Sequence, residues 1–346
     1  MIKRGFIGCI IIFLFALVPT GLFCIEVDWV SGNVTYSHLK GEWRDLDVGM
    51  NLVSGDIVKT GLGSEATLRD EEIQMHILEN STFTISERYE NEEKKSSFML
   101  FLGRMKFKLA GRSKKEPEIL TQTVSLTIRG TDFEVGSGYD GSTIVLITEG
   151  SVSVTGNKNE LLLEKGEGTE VAFGEEPTEK FKVMTKVIEW DKWFDLSKEA
   201  VKGNELIFLG RIQERFKEID AQIKSYERIR ADSLKEKEEY LKKRDELVAE
   251  DKTDEAIEYS RKAGAKSKLA FHSIVNIRFL ALSSIGLFDM AERIYKGIET
   301  PVKEQTDTYE GIEKIYKEIE KKYIWEGDRE RLEQRAEKKK GCLKPY

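Results

Sequence analysis

Residues 123–138 read TVSLTIRGTDFEVGSG. Val124, Leu126 and Ile128 alternate as the buried face of a strand should, but the next apolar residues, Phe133 and Val135, resume at an odd offset. Side chains on a strand repeat every second residue, so an odd offset moves the second apolar set to the opposite face. A β-bulge at Gly130, with one extra residue opposite the partner strand, restores Phe133 and Val135 to the face of Val124, Leu126 and Ile128. Glycine suits that position because a bulge often needs φ > 0. On this reading Arg129, Gly130 and Thr131 are architectural. Arg129 stands on the outer face, where pairing with Asp132 or Glu149 would contribute about 0–1 kcal/mol.

The period-two signature continues outward from this stretch. Between Ile25 and Thr178, short alternating runs such as VDWVSGNVTY, IQMHIL, TFTI and STIVLITEGSVSV are broken by glycine turns. That is the pattern of an all-β sandwich or roll. TIVLI at 143–147 is apolar on both faces and is placed as a central strand. In LVSGDIVKTGLGSEATL, Ser54, Gly55 and Asp56 turn into the strand Ile57–Val58, and Gly61 to Ser64 form the next turn before Ala66. ENEEKKSS (90–97) and AGRSKKEPE (110–118) are charged and without period, and are expected to be mobile surface loops.

After Pro177 the period changes. Leu209, Ile212, Phe216, Ile219, Ile223 and Tyr226 are spaced three and four apart, a heptad seam. The same register then reaches Arg230, Ser233, Lys237, Tyr240, Arg244 and Leu247, so the helix is expected to project or fray there. A second helix is predicted from Thr253 to about Ile285, with Ala256, Ser260, Ala263, Ser267, Ala270, Ile274, Ile277 and Ala281 on one side. Gly286 and Pro301 are expected to break the chain before a further helix carrying Ile312, Ile315, Ile319 and Tyr323. These stripes fit an antiparallel helical bundle or coiled coil. At the join, Trp190, Trp193 and Phe194 fall at helical spacing and are expected to anchor the first helix on the β unit.

Met1 to Cys24 place Lys3 and Arg4 ahead of an apolar run from Phe6 to Val18, as in an export signal. Cys24 is the candidate for lipidation, since Leu22 stands two places before it, although Phe23 is not the small residue expected in between. Only Cys342 lies clearly within the mature chain, so no internal disulfide framework exists. The net charge of −7, from 55 basic residues mixed among 62 acidic ones, argues against a nucleic-acid partner. The chain thus divides into a signal peptide (1–24), a β domain (25–178), a linker with the start of the helical region (179–204), a helical bundle or coiled coil (205–340) and a tail (341–346).

VSGNVTY, WRDLDVGMNLVSGDIVKTGLGSEATL, VSLTIRGTDFEV, STIVLITEGSVSV and LLLEKGEGTEV, in that order, resemble the FecR domain, an exported β module of bacterial envelope proteins. The resemblance covers residues 27–173 and marks Gly55, Asp56, Thr60, Gly61, Ser64, Arg129, Gly130, Thr131, Phe133, Gly150 and Gly166 as motif positions of structural character. Its pairing with a helical tail resembles envelope proteins of spirochaetes. The resemblance implies an exported protein of the periplasm or envelope, touching the membrane only through an uncleaved signal or a lipid.

No chemistry stands out beside it. GSGYDG at 136–141 has the spacing of a dinucleotide loop but precedes a strand rather than a helix, and reads as a hairpin. His38, His76 and His272 lack paired metal-ligand spacing and are expected on strands or at the surface. No catalytic, metal or cofactor site is expected. The leading function is a non-enzymatic module that binds a ligand or another envelope protein, with self-association through the helices. A second is association with cell-wall glycan, stacking on Trp29, Trp43 and Tyr36. A third is a FecR-type regulator of envelope signalling, disfavoured because only Met1 to Gly5 precede the apolar segment. In a denaturant titration Gly130→Val is expected to lower the stability of the β unit well beyond Arg129→Ala; equal, small losses would remove the bulge.

Overall fold

The computed structural model describes residues 24–70, 73–109, 117–184 and 187–324, except the side chains of Cys24 and of 129–131. Residues 1–23, where an export signal is expected, residues 71–72, 110–116 and 185–186, and everything from Trp325 onward, including the tail, lie outside the described residues. The strands are β1 (Cys24–Ser31), β2 (Val34–His38), β3 (Arg44–Asp45), β4 (Asn51–Val53), β5 (Asp56–Thr60), β6 (Glu65–Arg69), β7 (Ile73–Ile77) and β8 (Thr82–Glu90). They continue as β9 (Glu93–Leu109), β10 (Glu118–Leu120), β11 (Val124–Ser137), β12 (Thr143–Gly156), β13 (Asn159–Glu164), β14 (Glu167–Val171) and β15 (Phe181–Lys182). The helices are α1 (Trp190–Val201), α2 (Glu205–Ala249), α3 (Thr253–Lys296) and α4 (Lys303–Tyr323).

All strands belong to one continuous hydrogen-bonded ladder, folded into two layers because three long strands serve both. β9 shows the fold most directly. Phe98 and Phe107 lie on this one strand, yet their ring centroids are 6.5 Å apart. Nine extended residues span about 30 Å, so the strand must bend back between them. It does so at Gly103, at φ 97°, where an added Cβ would meet the Ser81 hydroxyl at 2.2 Å. Before the bend β9 pairs with β8 and β10, and after it with β7 and β11.

β11 and β12 cross at the Arg-Gly-Thr stretch. Arg129 pairs with Ser151 and Asp132 with Glu149, so the register shifts by one residue on β11, as the alternation predicts. Phe133 then pairs with Ile147, a compensating shift on β12. Each strand therefore carries its own bulge, and Gly150 takes φ 77° beside the second. Val124, Leu126, Ile128, Phe133 and Val135 all lie in one core with Val145, Ile147, Val152 and Val154. Strands that switch layers through bulges form the corners of a sandwich.

One charged loop expectation is corrected. Residues 90–97 belong to a hairpin whose two-residue turn, Asn91 and Glu92, takes φ 48° and 67°. Its charges are cross-strand pairs: Lys94 with Glu87 at 2.6 Å, and Lys95 with Glu90. Arg88 reaches the buried Glu118 at 2.7 Å.

The helices do not form a separate body. Leu39, Ile57, Met99, Phe101 and Phe173 leave the β unit on the face opposite its own core and join a second core with α2, α3 and α4. Gly286, expected to break a helix, sits inside α3, where an added Cβ would meet the Phe101 ring at 2.1 Å. Glycine is there for close approach to the sheet, and α3 runs on to Lys296. The apolar window of α3 has the length and composition of a membrane span, but 67% of it is buried inside the protein. α2 likewise continues through its polar half to Ala249, paired with α3 by Tyr240 against Tyr259 and Lys266 to Glu236 at 2.7 Å.

α1 anchors as its aromatics predict. Trp190 covers Gly136 and lies 4.7 Å from the Arg104 guanidinium, while the Trp193 indole donates to Glu170 at 2.6 Å. Gly286→Leu should overpack the contact and lower the unfolding free energy by about 1–3 kcal/mol or more. Gly210→Ala, in open space on α2, should raise it by up to about 1 kcal/mol. Because a second core joins the two halves, near- and far-ultraviolet dichroism should follow a single transition in both variants.

Candidate functional site

Most motif residues hold turns. Asp56 is fully buried; its carboxylate accepts from the Val53 amide at 2.8 Å and meets His38 Nδ1 at 2.8 Å. Gly55, at φ 99°, lets that turn close over Leu39 and His38. Thr60 donates to the Leu78 carbonyl at 2.6 Å and accepts from the Ser81 amide. Gly61 donates its amide to Asn33, and Ser64 accepts from the Asn33 amide at 2.8 Å. These contacts tie the β1–β2, β5–β6 and β7–β8 turns together at one end of the sandwich. Phe133 stacks on Phe107 at 4.8 Å, and Gly166 turns β13 into β14 at φ 77°. The side chains of Arg129, Gly130, Thr131 and Cys24 are outside the description; Glu149 meets Lys165 at 3.6 Å.

Two of the histidines lie on strands, as expected: His38, buried, ends β2, and His76 is on β7; His272 instead is buried on α3, where it stacks on Tyr89 at 3.8 Å. His76 lies on the outer face of the layer formed by β1, β6, β7 and the later halves of β9 and β11. Pairing aligns Trp29, Thr67, His76, Lys106 and Glu134 in one row across these five strands. A bulge between Val27 and Trp29 keeps Trp29 on this face while Val27 enters the core. The next row is Arg69, Gln74, Lys108 and Asp132.

The row is a polar surface with one aromatic platform. Trp29 is 42% exposed and stacks on His76, with centroids 6.3 Å apart. His76 is held at both nitrogens, by Glu65 at 2.8 Å and Thr67 at 3.1 Å. Arg104 lies 3.2 Å from the Glu134 carboxylate. Burial raises the Glu134 carboxyl above the usual range, and Arg104, then Lys106, draw it partly back. Lys106 and Lys108 form no ion pair among the described residues, and they line a shallow cavity of about 370 Å³ with Gln74, His76 and Asp132. The other face of the sandwich is occupied by α3, and α1 covers this face at its Arg104–Gly136 end, which leaves the rows from Trp29 to Glu134 and from Arg69 to Asp132 uncovered by the helices.

The stacking surface expected from Trp29, Trp43 and Tyr36 does not exist as one patch. Tyr36 is 6% exposed and belongs to the core, and Trp43 packs against Lys59 of β5, in the other layer. Trp29 alone of the three stands on the row. Its neighbours there come from four other strands, and only an unrecorded pairing register could have joined them. No group of three or more His, Cys, Asp or Glu side chains able to hold a metal occurs among the described residues.

The Glu134 carboxyl keeps its proton to higher pH in the folded protein than in the unfolded chain. The folded state is therefore penalised as pH rises from the ordinary carboxylate value through the raised one, and not below it. Glu134→Gln should raise the thermal midpoint relative to the parent at pH 7, with the gain fading toward pH 4, as followed by calorimetry across that range.

Residues 56–153 match the family model described as FecR protein. Two crystal structures of a candidate anti-sigma factor from Parabacteroides distasonis ATCC 8503, at 2.50 and 1.65 Å resolution, are similar at 15% and 17% identity, with a TM-score of 0.31. Each likeness covers 36% of this chain and 59% of that structure's chain, so less than two thirds of their length is spanned. No curated protein matches the chain. The spirochaete resemblance gains nothing from these matches. The matched segment runs from the buried Asp56 to Ser153 and takes in every strand that crosses between layers. The sandwich of this chain is built on a FecR domain.

Proposed function

We propose that the protein is a non-enzymatic binding module of the cell envelope, in which the helices fix one layer of the FecR-domain sandwich and the open layer receives the ligand. The observation that supports this is the row Trp29, Thr67, His76, Lys106 and Glu134 with Lys108 in the row beside it: an exposed indole, two lysines without ion pairs among the described residues and fixed hydrogen-bonding groups on a rigid sheet. Rigid sheets hold contact groups with little ordering cost. Among the described motif residues no nucleophile stands beside a base, which favours binding over catalysis.

Among ligands, cell-wall glycan is the second reading. A flat indole beside amide, hydroxyl and ammonium groups suits the apolar face and hydroxyl rim of a saccharide. A FecR-type signalling role draws on the family alone. Retention on insoluble peptidoglycan is the test. The chain should be retained, Trp29→Ala combined with Lys106→Glu should reduce retention at least tenfold, and Trp43→Ala should leave it unchanged. Equal retention of all three would remove the open face from the reading.

A further inference from the structure

α2 docks on the sandwich through Arg211, whose guanidinium donates to the Phe173 carbonyl at 2.6 Å and meets Glu175 at 2.7 Å, lying against Gly174 at φ 80°. Beside this clamp the first turns of α2 stand off from the β10–β11 and β12–β13 turns, and a cleft of about 700 Å³ lies between them. Its apolar lining is Leu120, Val124 and Phe173 from the sandwich and Leu206 and Ile207 from the helix. Ile207 is 57% exposed, and Leu120 and Leu206 are half-buried. None of these residues belongs to the row of Trp29, so the cleft is separate from the open layer.

The helix wall of the cleft contains a glycine. Inside a helix glycine costs about 1 kcal/mol against alanine. Gly286 and Gly311 are accounted for by close neighbours, the Phe101 ring at 2.1 Å and the Gln213 amide at 2.7 Å from an added Cβ. An added Cβ at Gly210 would meet nothing within 4 Å, as at Gly264 in the distal half of α3, and of these two it is Gly210 that lines the cleft. Contacts within the chain therefore do not require glycine at 210. Its effect is to hold the wall open beside Leu206 and Ile207, leaving room for an apolar chain against the helix backbone.

The charged side chains lining the cleft are Lys158, Arg211, Glu214, Arg215 and Glu218. Glu218 is met by Arg215 at 2.7 Å, Glu214 by Lys217 at 2.6 Å, and Arg211 by Glu175. Lys158 forms no ion pair among the described residues, so the cleft carries one uncompensated positive charge. Lys158 and its neighbour Asn157 form the two-residue β12–β13 turn, at φ 68° and 43°, which fixes both at the mouth. An apolar lining with a few placed polar groups is the character of a small-molecule site. We infer that the cleft binds an amphipathic monoanion, an acyl chain ending in a carboxylate: the chain lies along Leu120, Leu206 and Ile207 over Gly210, and the carboxylate meets the Lys158 ammonium and the Asn157 amide. A cationic amphiphile would bring like charge to Lys158, and a dianion would find a single free ammonium.

The test is isothermal titration calorimetry of the chain from residue 24 onward with decanoate and with decyltrimethylammonium, both below their micelle-forming concentrations. Decanoate should bind at one site, at least tenfold more tightly than the ammonium amphiphile. Gly210→Phe, which fills the cleft from a position with free space around it, should weaken decanoate binding at least tenfold while the thermal midpoint of the free protein stays at or above the parent's. Lys158→Glu, on a surface turn, should weaken decanoate at least tenfold and tighten the ammonium amphiphile. Trp29→Ala should leave decanoate binding unchanged, so that this site stands or falls apart from the open layer. No saturable binding of decanoate, equal affinity for the two amphiphiles in the parent or in Lys158→Glu alike, or full binding by Gly210→Phe would overturn the inference. So would a decanoate site lost with Trp29.

Discussion

The alternation of side chains along a strand is the constraint on which this structure rests. A strand that serves two layers must exchange its faces where it crosses, or one half of its apolar residues ends in water. β9 solves this with Gly103 bent against Ser81, and β11 and β12 solve it together, each with its own bulge. Arg-Gly-Thr is one side of that joint. The FecR match spans the joint and the Asp56 turn, the two places where the sandwich is held closed.

The second constraint is coverage. One layer is apolar on both faces in β5 and the first half of β9, since Val58, Phe98 and Leu100 enter the inner core while Ile57, Met99 and Phe101 leave it. Such a surface must be buried, and α3 buries it most closely at Gly286, where the helix carries no side chain. The open edge of β8 is closed by the same helix: the Asn276 amide accepts from the Tyr89 N–H at 2.7 Å and donates to its carbonyl at 2.9 Å. With one face so committed and α1 over the Arg104–Gly136 end of the other, the row of Trp29, His76, Lys106 and Glu134 is what the sandwich still offers.

Much of this was legible in the residues. Period two before Pro177 and period three-to-four after it separate the halves, and the odd offset from Ile128 to Phe133 locates the bulge on β11. The same odd offset stands between Ile147 and Val152, and reading it would have shown the second bulge. Residues 90–97 misled because paired charges on a hairpin and solvated charges in a loop have the same composition. Gly286 misled because a helix breaker and a close-contact glycine are the same residue, and only the Phe101 ring decides between them. The row on the open face was beyond reach, since Trp29 shows in the sequence as an aromatic but its alignment with His76, Lys106 and Glu134 depends on how five strands pair.

α3 is one unbroken helix of 44 residues, about 66 Å long at 1.5 Å per residue. From Lys268 on Glu92, through Asn276 on Tyr89 and Gly286 on Phe101, to Arg293 on Tyr139 it is clamped to the sandwich, and residues 253–267 project beyond the Lys268 contact as a rigid lever. A sideways pull at its far tip arrives at the sheet as torque, multiplied by the length of that projecting part. Whatever grips that tip gains mechanical purchase on the sandwich without touching it.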